Sequence, residues 1–375
     1  MIAKNQLYSV YIHIPFCKSK CSYCSFISFT ENNNLKKLYI DELIKEIKNG
    51  LSQVKSPILK TIYIGGGTPS LLSLEELEQI ITSLLNNAEF AEDIEFSIEI
   101  NPATVDLAYL TGLRQLGLNR LSIGVQSFNN EILKLINRRH NSYDAVKCVE
   151  WAKQAGFNNI SIDLIHGLPK QTLQNWEETL EKGISLGINH ISAYGLKIEE
   201  GTEFYTNMPS ELPDEDLCAD LYIKTVDFLK NQAFHQYEIS NFAIEGYSSR
   251  HNTAYWTNKE YFGFGIAAHG YIKGVRYSNT SDLDLYLNNT DKKEHEHTVS
   301  NKERIEEAIY LGLRLNKGIN LLEFNDEYNF DILKHYEKII QKHIKNGFLE
   351  LENHFLTLTT EGFLLSNCIL SDFID

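Results

Sequence analysis

The stretch "SVYIHIPFCKSKCSYCSF", residues 9–26, decides how the rest of the chain is read. Its first half alternates β-branched and aromatic residues with others and reads as a strand. Its second half sets Cys17, Cys21 and Cys24 in a C-x3-C-x2-C array, among the polar residues Lys18, Ser19, Lys20 and Ser22. Three thiols in a polar segment directly after a strand do not read as core residues. Zinc takes four ligands, commonly as two Cys or His pairs. No second pair follows, so a zinc site would need His13 or a distant histidine. An iron–sulfur cluster held by three thiolates fits the spacing better, and it leaves one iron open to a ligand.

Outward from this stretch the same strand signal recurs. It appears in "KTIYIGGG" from Lys60, "EFSIEINP" from Glu95, "RLSIGVQS" from Arg120, "NISIDLIHGLP" from Asn159 and "HISAYGLKI" from His190. Helical spacing fills the gaps. "NLKKLYIDELIKEIKN" sets Leu35, Leu38, Leu43 and Ile47 near one stripe. Ser73 with Glu76 forms a capping-box pattern, and Gly117 and Gly156 mark helix ends. Strand then helix, six times over, implies right-handed crossovers and a parallel sheet. The strand ends carry Cys17, Gly65 to Thr68, Glu99, Gln126 and Asp163. Polar residues delivered to one rim favour a curved, barrel-like sheet over a flat one. The expected class is α/β, a partial (β/α)6 barrel over residues 1–235.

Beyond it the pattern changes. "LPDEDLCADLYIKTVDFLKNQAF" reads as a long helix. Residues 236–303 are aromatic and glycine-rich, ending in the charged "NNTDKKEHEHTVSNKE", read as a linker or exposed hairpin. Residues 304–375 combine short helices with "GFLELENHFLTLT", two strand-like pieces meeting near Asn353, and suggest a winged-helix-like α+β appendix.

Composition bounds the function. The chain has 375 residues and a net charge of −15, which argues against nucleic-acid binding. There is no apolar run long enough to span a bilayer and no secretory-signal pattern at the N-terminus, so the cytoplasm is the expected compartment. Cys148, Cys218 and Cys368 are scattered and expected to be small buried residues. Composition neither demands nor forbids a homodimer.

With C-x3-C-x-aromatic-C met by Cys17, Cys21, Tyr23 and Cys24, and "GGGTPS" after the second strand, the chain resembles the radical S-adenosylmethionine (SAM) superfamily. "YIHIPFC", "IEINP", "VQSF", "INRRH" and "IDLIHGLP" narrow the resemblance to the branch holding oxygen-independent coproporphyrinogen III oxidase and its heme-chaperone relatives. The resemblance implies a [4Fe–4S] cluster on the three cysteines, with SAM at the open iron. It implies SAM contacts from Tyr11, Tyr23, Gly66, Gly67, Thr68, Glu99, Gln126, Arg138, Asp163 and Gly195.

Within that branch three features favour the chaperones. Phe26 stands where the oxidase has a fourth cysteine, the first strand starts near residue 9 without the oxidase's preceding extension, and "HNTAYW", His251 to Trp256, matches the chaperones' HNxxYW pattern. A neutral imidazole is a good heme ligand, so His251 is the expected heme contact, with Tyr255 and Trp256 as flat surface for a porphyrin. His269 in "GIAAHGY" is a rival ligand, and Ala267 and Ala268 stand where the resemblance leads one to expect a glycine. The implied partners are heme, a heme-acceptor protein such as a respiratory cytochrome at the membrane, and an electron donor. The alternative is the oxidase itself, or another radical enzyme acting on a tetrapyrrole.

Overall fold

A computed structural model describes residues 6–289 and 292–374. Six parallel strands form in chain order: β1 (Leu7–Ile14), β2 (Ile58–Gly66), β3 (Glu89–Ile100), β4 (Arg120–Gln126), β5 (Ile160–His166) and β6 (His190–Gly195). Each pairs with the next, so the sheet order is the sequence order. The helices between them include α1 (Asn33–Ser52), α2 (Leu74–Asn87), α3 (Leu107–Gln115), α4 (Ser142–Gln154) and α5 (Leu173–Ser185). Ser73 and Glu76 close the expected capping box at the start of α2. Gly117 and Gly156 take left-handed φ of +92° and +86°, values that favour glycine.

Strand alternation sorts the residues into two layers. Val10, Ile12, Ile62, Ile64, Phe96, Ile98, Leu121, Ile123, Ile162 and Leu164 are buried in one continuous core with the helices. The alternate positions carry buried polar groups: Ser9 and His13 on β1, Thr61 on β2, Glu95 and Ser97 on β3, Arg120 and Ser122 on β4, Ser161 on β5, and His190 and Ser192 on β6. The concave face is therefore polar rather than oily. The stripe on α1 runs through Tyr39, Ile40, Leu43 and Ile47. Leu38, expected on it, is exposed instead, because it lies roughly 140° to 180° around the helix from Ile40, Leu43 and Ile47.

The aromatic, glycine-rich region widens both margins of the sheet. β7 (His235–Glu238) and β8 (Asn241–Ala243) add beside β6. β9 (Tyr261–Phe264) pairs in parallel with β1. β10 (His269–Ile272), β11 (Val275–Asn279) and β12 (Lys293–Thr298) follow antiparallel. The charged segment expected as a linker or hairpin thus supplies the margin strand β12, apart from Thr290 and Asp291, which lie outside the described residues.

The long helix expected after β6 is α6 (Glu215–Asn231). The final part has its own core, centred on Ile309, Leu313, Leu356, Leu370 and Phe373, which also takes in Tyr222 of α6. Its three-stranded sheet includes the hairpin Leu349–Glu352 with Phe355–Leu358. Asn353 and His354 form the turn with φ of +50° and +68°, the conformation that two-residue hairpins favour. Among the described residues no helix is long and apolar enough to cross a membrane.

Candidate functional site

The C-terminal ends of β2 to β6 and the cysteine loop after β1 meet at one pocket of about 360 Å³. A flat sheet would separate β1 from β6 by about 24 Å, five spacings of roughly 4.8 Å. Cys17 and Gly195 nonetheless line the same small pocket, so the sheet is curved, as the rim residues required.

The cysteine loop is held by its backbone. Phe29 N–H donates to Pro15 O at 2.6 Å, Glu31 N–H to Cys17 O at 3.0 Å, and Cys24 N–H to Cys21 O at 3.1 Å. From outside the loop, Ser22 Oγ donates to Glu203 at 2.7 Å and Asn137 Nδ2 to Lys20 O at 3.0 Å. Cys17, Cys21 and Cys24 are free thiols, all half-buried, and all three line the pocket. Burial, followed by the two neighbouring thiols, raises the Cys24 pKa. Thr68 Oγ1 donates to Cys17 Sγ at 3.6 Å and Arg138 Nη1 to Cys21 Sγ at 3.5 Å. Donors aimed at sulfur are what an anionic cluster site uses to tune its thiolates.

Among the described residues no three His, Cys, Asp or Glu side chains converge as a single metal ion would require. The His13 ring is also committed: Nε2–H donates to Ile27 O at 2.9 Å, and Nδ1 accepts from the Tyr11 hydroxyl at 2.9 Å. Both observations count against the zinc reading. The three thiols around one pocket suit a polynuclear cluster.

The rest of the pocket lies where the sequence placed it. Tyr23, Gly66, Gly67, Thr68, Glu99, Gln126, Arg138, Asp163 and Gly195 all line it. A Cβ on Gly67 would sit 2.8 Å from Phe16 O and 3.0 Å from Cys17 Sγ, so that position admits only glycine without moving the cluster loop. Gln126 adopts φ of +66°, a strained backbone for a residue with a side chain. Glu99 accepts from Tyr63 Oη at 3.0 Å and from Gly66 N–H at 3.1 Å. Burial, then the nearby Asp163, pushes its pKa up to about 8. Asp163 accepts from Ser122 Oγ at 2.9 Å, and burial raises its pKa too. Glu99 and Asp163 thus present two carboxyl groups to this pocket, where a carboxyl can meet a cation or hydroxyl groups.

Tyr11, also expected at the SAM site, is placed differently. It faces a second, larger cavity of about 1000 Å³ and does not line the cluster pocket. Tyr11 is in register with Tyr63, which borders both cavities. The larger cavity is bounded by β1, by α7 (Arg250–Trp256), by the region around His269, and by α8 (Asn301–Gly312) of the last part. Ser25, Phe26, Tyr63 and Glu99 border both cavities.

The "HNTAYW" segment is α7, which sequence periodicity missed because seven residues make barely two turns. Glu95 caps it, accepting from Arg250 N–H at 3.0 Å and His251 N–H at 2.9 Å. His251 lines the cavity but is only 1% exposed. Its Nδ1 bonds Thr61 Oγ1 and its Nε2 bonds Tyr255 Oη, each at 2.8 Å. Burial lowers its pKa to about 3, so the ring is neutral. Tyr255 lines the cavity as expected, but Trp256 does not. One residue on, the helix has turned by about 100°, and Trp256 lies beneath Arg314 instead, 5.7 Å from its ring centroid. His269 is exposed within the cavity. Ala267 takes φ of +55°, the left-handed geometry for which a glycine was expected.

The sequence reading passed over Tyr63, Ser122 and Tyr194, which also line the cluster pocket. Their signal is alternation: Thr61, Tyr63 and Gly65 lie on one face of β2, two residues apart. Of the other cysteines, Cys148 is buried as expected, whereas Cys218 is half-buried and Cys368 exposed.

Comparison with known proteins now bears on this arrangement. Residues 11–183 match the radical SAM superfamily and residues 299–365 match the HemN C-terminal domain. The heme chaperone HemW of Lactococcus lactis is 37% identical, covering 98% of this chain and 97% of its own length. HemW of Bacillus subtilis is 36% identical, over 98% and 99%. The chain belongs to the HemW family of the radical SAM superfamily. HemW of Escherichia coli is 37% identical over 70% of each chain. The solved structure of coproporphyrinogen III oxidase HemN from E. coli superposes with a TM-score of 0.87 at 23% identity, covering 99% of this chain and 90% of that one. That likeness establishes the partial barrel and its appendix as a shared fold. Radical SAM membership brings a [4Fe–4S] cluster and SAM to this HemW-family chain, and the three-thiol pocket fits both.

Proposed function

We propose that this chain is a heme chaperone in which the two adjoining cavities divide the work. In the smaller, Cys17, Cys21 and Cys24 hold the [4Fe–4S] cluster through three irons. SAM lies at the fourth, against Tyr23, Gly66, Gly67, Thr68, Glu99, Gln126, Arg138, Asp163 and Gly195. The cluster supplies one-electron chemistry when bound, and the protein's part is to hold the cofactor and limit its exposure to water. In the larger, heme lies beside His251, Tyr11 and Tyr255, and is passed to an acceptor protein, with respiratory cytochromes at the membrane as the intended class. The cytoplasm is the proposed compartment and a separate electron donor the proposed source of reducing equivalents.

One observation carries this reading. A cavity of about 1000 Å³, walled by the rings of Tyr11, Tyr63, Tyr255 and Tyr261, adjoins the three-thiol pocket. That volume is at the upper end of small-molecule sites, and flat aromatic walls suit a porphyrin. The names of the relatives favour the chaperone over the oxidase. So does Phe26, which stands 63% exposed between the two cavities and offers no thiol.

The test is anaerobic titration of the cluster-loaded protein with hemin, followed by transfer to an apo-cytochrome. Saturable one-to-one binding and transfer are expected. Consumption of coproporphyrinogen III with release of carbon dioxide would establish the oxidase instead.

A further inference from the structure

The residues between Cys17 and Cys21 are Lys18, Ser19 and Lys20, and both lysines are exposed. Cys21 borders two hollows: the cluster pocket and a smaller cavity of about 170 Å³. Lys18, Arg138 and Arg139 line that smaller cavity, and no carboxylate does. A chain with 50 acidic and 35 basic residues would on average show more carboxylates than cations, so this face runs against the chain's own sign. Arg138 is engaged with the cysteine loop, donating to Cys21 Sγ at 3.5 Å and to Gly124 O. Its neighbour Arg139 is exposed. Both follow the short helix Asn130–Leu135 through a turn at Asn137, whose φ is +57°. Asn137 Nδ2 donates to Lys20 O at 3.0 Å, which ties the arginine turn to the lysine-bearing loop. Among the described residues Lys18, Lys20 and Arg139 make no ion pair.

With SAM in the cluster pocket and heme in the large cavity, both of those approaches to the thiols are filled. The small cavity at Cys21 stays open. We propose that this face, Lys18, Lys20 and Arg139 around Cys21, is where an acidic one-electron carrier protein docks to reduce the cluster. The proposal rests on the cluster and electron-donor reading above and deepens it by naming the surface and the partner's charge. Electron-transfer partners meet through small, weak interfaces, and opposite charge steers and orients the encounter. A basic face beside a cluster thiol suits a carrier whose redox centre is ringed by Asp and Glu. The rest of this acidic chain repels such a carrier, which adds selectivity for the one basic face. In the step, the carrier's reduced flavin or iron–sulfur centre is oxidised by one electron and the cluster is reduced by one, with no bond formed or broken. The Arg138 guanidinium at Cys21 Sγ favours the added negative charge.

The test uses the full, cluster-loaded chain and a flavodoxin of net negative charge. Calorimetry measures binding of the oxidised flavodoxin, and stopped-flow absorbance measures cluster reduction by the reduced form. Binding should weaken about ten-fold between about 20 mM and about 300 mM salt, as screened charges require. Lys18→Glu combined with Arg139→Glu should weaken binding and slow the second-order reduction, each by about ten-fold at low salt. Iron and sulfide content should be unchanged. Reduction by the methyl viologen radical, a small cation, should not be slowed. Arg139→Glu alone lies off the cysteine loop and should move binding and rate in the same direction, whatever the double variant does to the cluster. Equal binding and equal rates in wild type and variants overturn the docking surface and leave the cluster and heme readings intact. Binding of phosphatidylglycerol vesicles that the double variant loses, with flavodoxin rates unchanged, gives the face to a membrane and overturns the proposal likewise. A wild-type cluster that the viologen radical cannot reduce overturns the one-electron reading, and this surface with it.

Discussion

The ring of Tyr63 stacks on that of His251, with centroids 5.2 Å apart and planes 23° from parallel. The same residue donates its hydroxyl to Glu99 at 3.0 Å. One side chain of β2 thus touches the key group of each cavity. Tyr63→Phe keeps the stack and removes the donor. Its expected effect is SAM affinity lowered about five-fold, the worth of one hydrogen bond near 1 kcal/mol, with hemin affinity unchanged. Tyr63→Ala should lower both. Parallel calorimetric titrations with the two ligands check this.

Cys17→Ser should abolish the cluster and spare the fold, because the core packs between strands and helices behind the loop. Gly67→Ala should reduce cluster content through a different cause. Its Cβ would press on Phe16 O and Cys17 Sγ, so the loop must shift. Iron and sulfide analysis after anaerobic reconstitution, beside a thermal melt, separates cluster loss from unfolding.

Glu99 gives a signed pH dependence in the ligand-free protein. Its folded pKa of about 8 lies above the ordinary carboxyl value of 4.5. Between those values the folded state keeps a proton that the unfolded state has lost. The stability tied to this group is therefore complete below about pH 4.5 and is lost as pH rises towards 8. Glu99→Gln removes that loss. Its stability relative to wild type should rise across the window, by up to ~1.4 kcal/mol per pH unit. Denaturant midpoints at pH 5.5 and 8 measure it, and a constant difference would contradict the buried, protonated carboxyl.

Arg276 on β11 grips Glu307 on α8 through two bonds of 2.6 and 2.7 Å, and both residues line the large cavity. Because this fork joins the sheet margin to the last part of the chain, Arg276→Ala should loosen the cavity. Hemin dissociation is expected to speed up several-fold with little change in melting temperature. Arg276→Lys should not restore it, since an ammonium cannot reproduce the planar fork. Stopped-flow release to apomyoglobin reads the rate.

Ala267→Gly should stabilise the protein by up to ~1 kcal/mol. Ala267 occupies a left-handed φ of +55°, where a Cβ costs roughly that much. The gain is limited because glycine also loosens the unfolded chain. A chemical denaturation curve with unchanged slope is the expected form of the result.

The sequence by itself determined the six βα units, the rim at which chemistry collects, the three thiols and the glycine beside them. Each rests on a local rule: β-alternation, a capping box, a glycine at a helix end, a fixed cysteine spacing. Those rules act over a few residues, so they survive translation into structure almost unchanged. Only the tertiary structure decided that Tyr11 faces the larger cavity, that Tyr63 joins the two cavities, and that His251 lies behind Tyr255 with both ring nitrogens engaged. Thr61 and His251 are 190 positions apart in the chain, as are Arg250 and Glu95 at 155. No spacing rule reaches that far. Which donor meets which acceptor there is settled by how the sheet curves and by the requirement that buried polar atoms find partners.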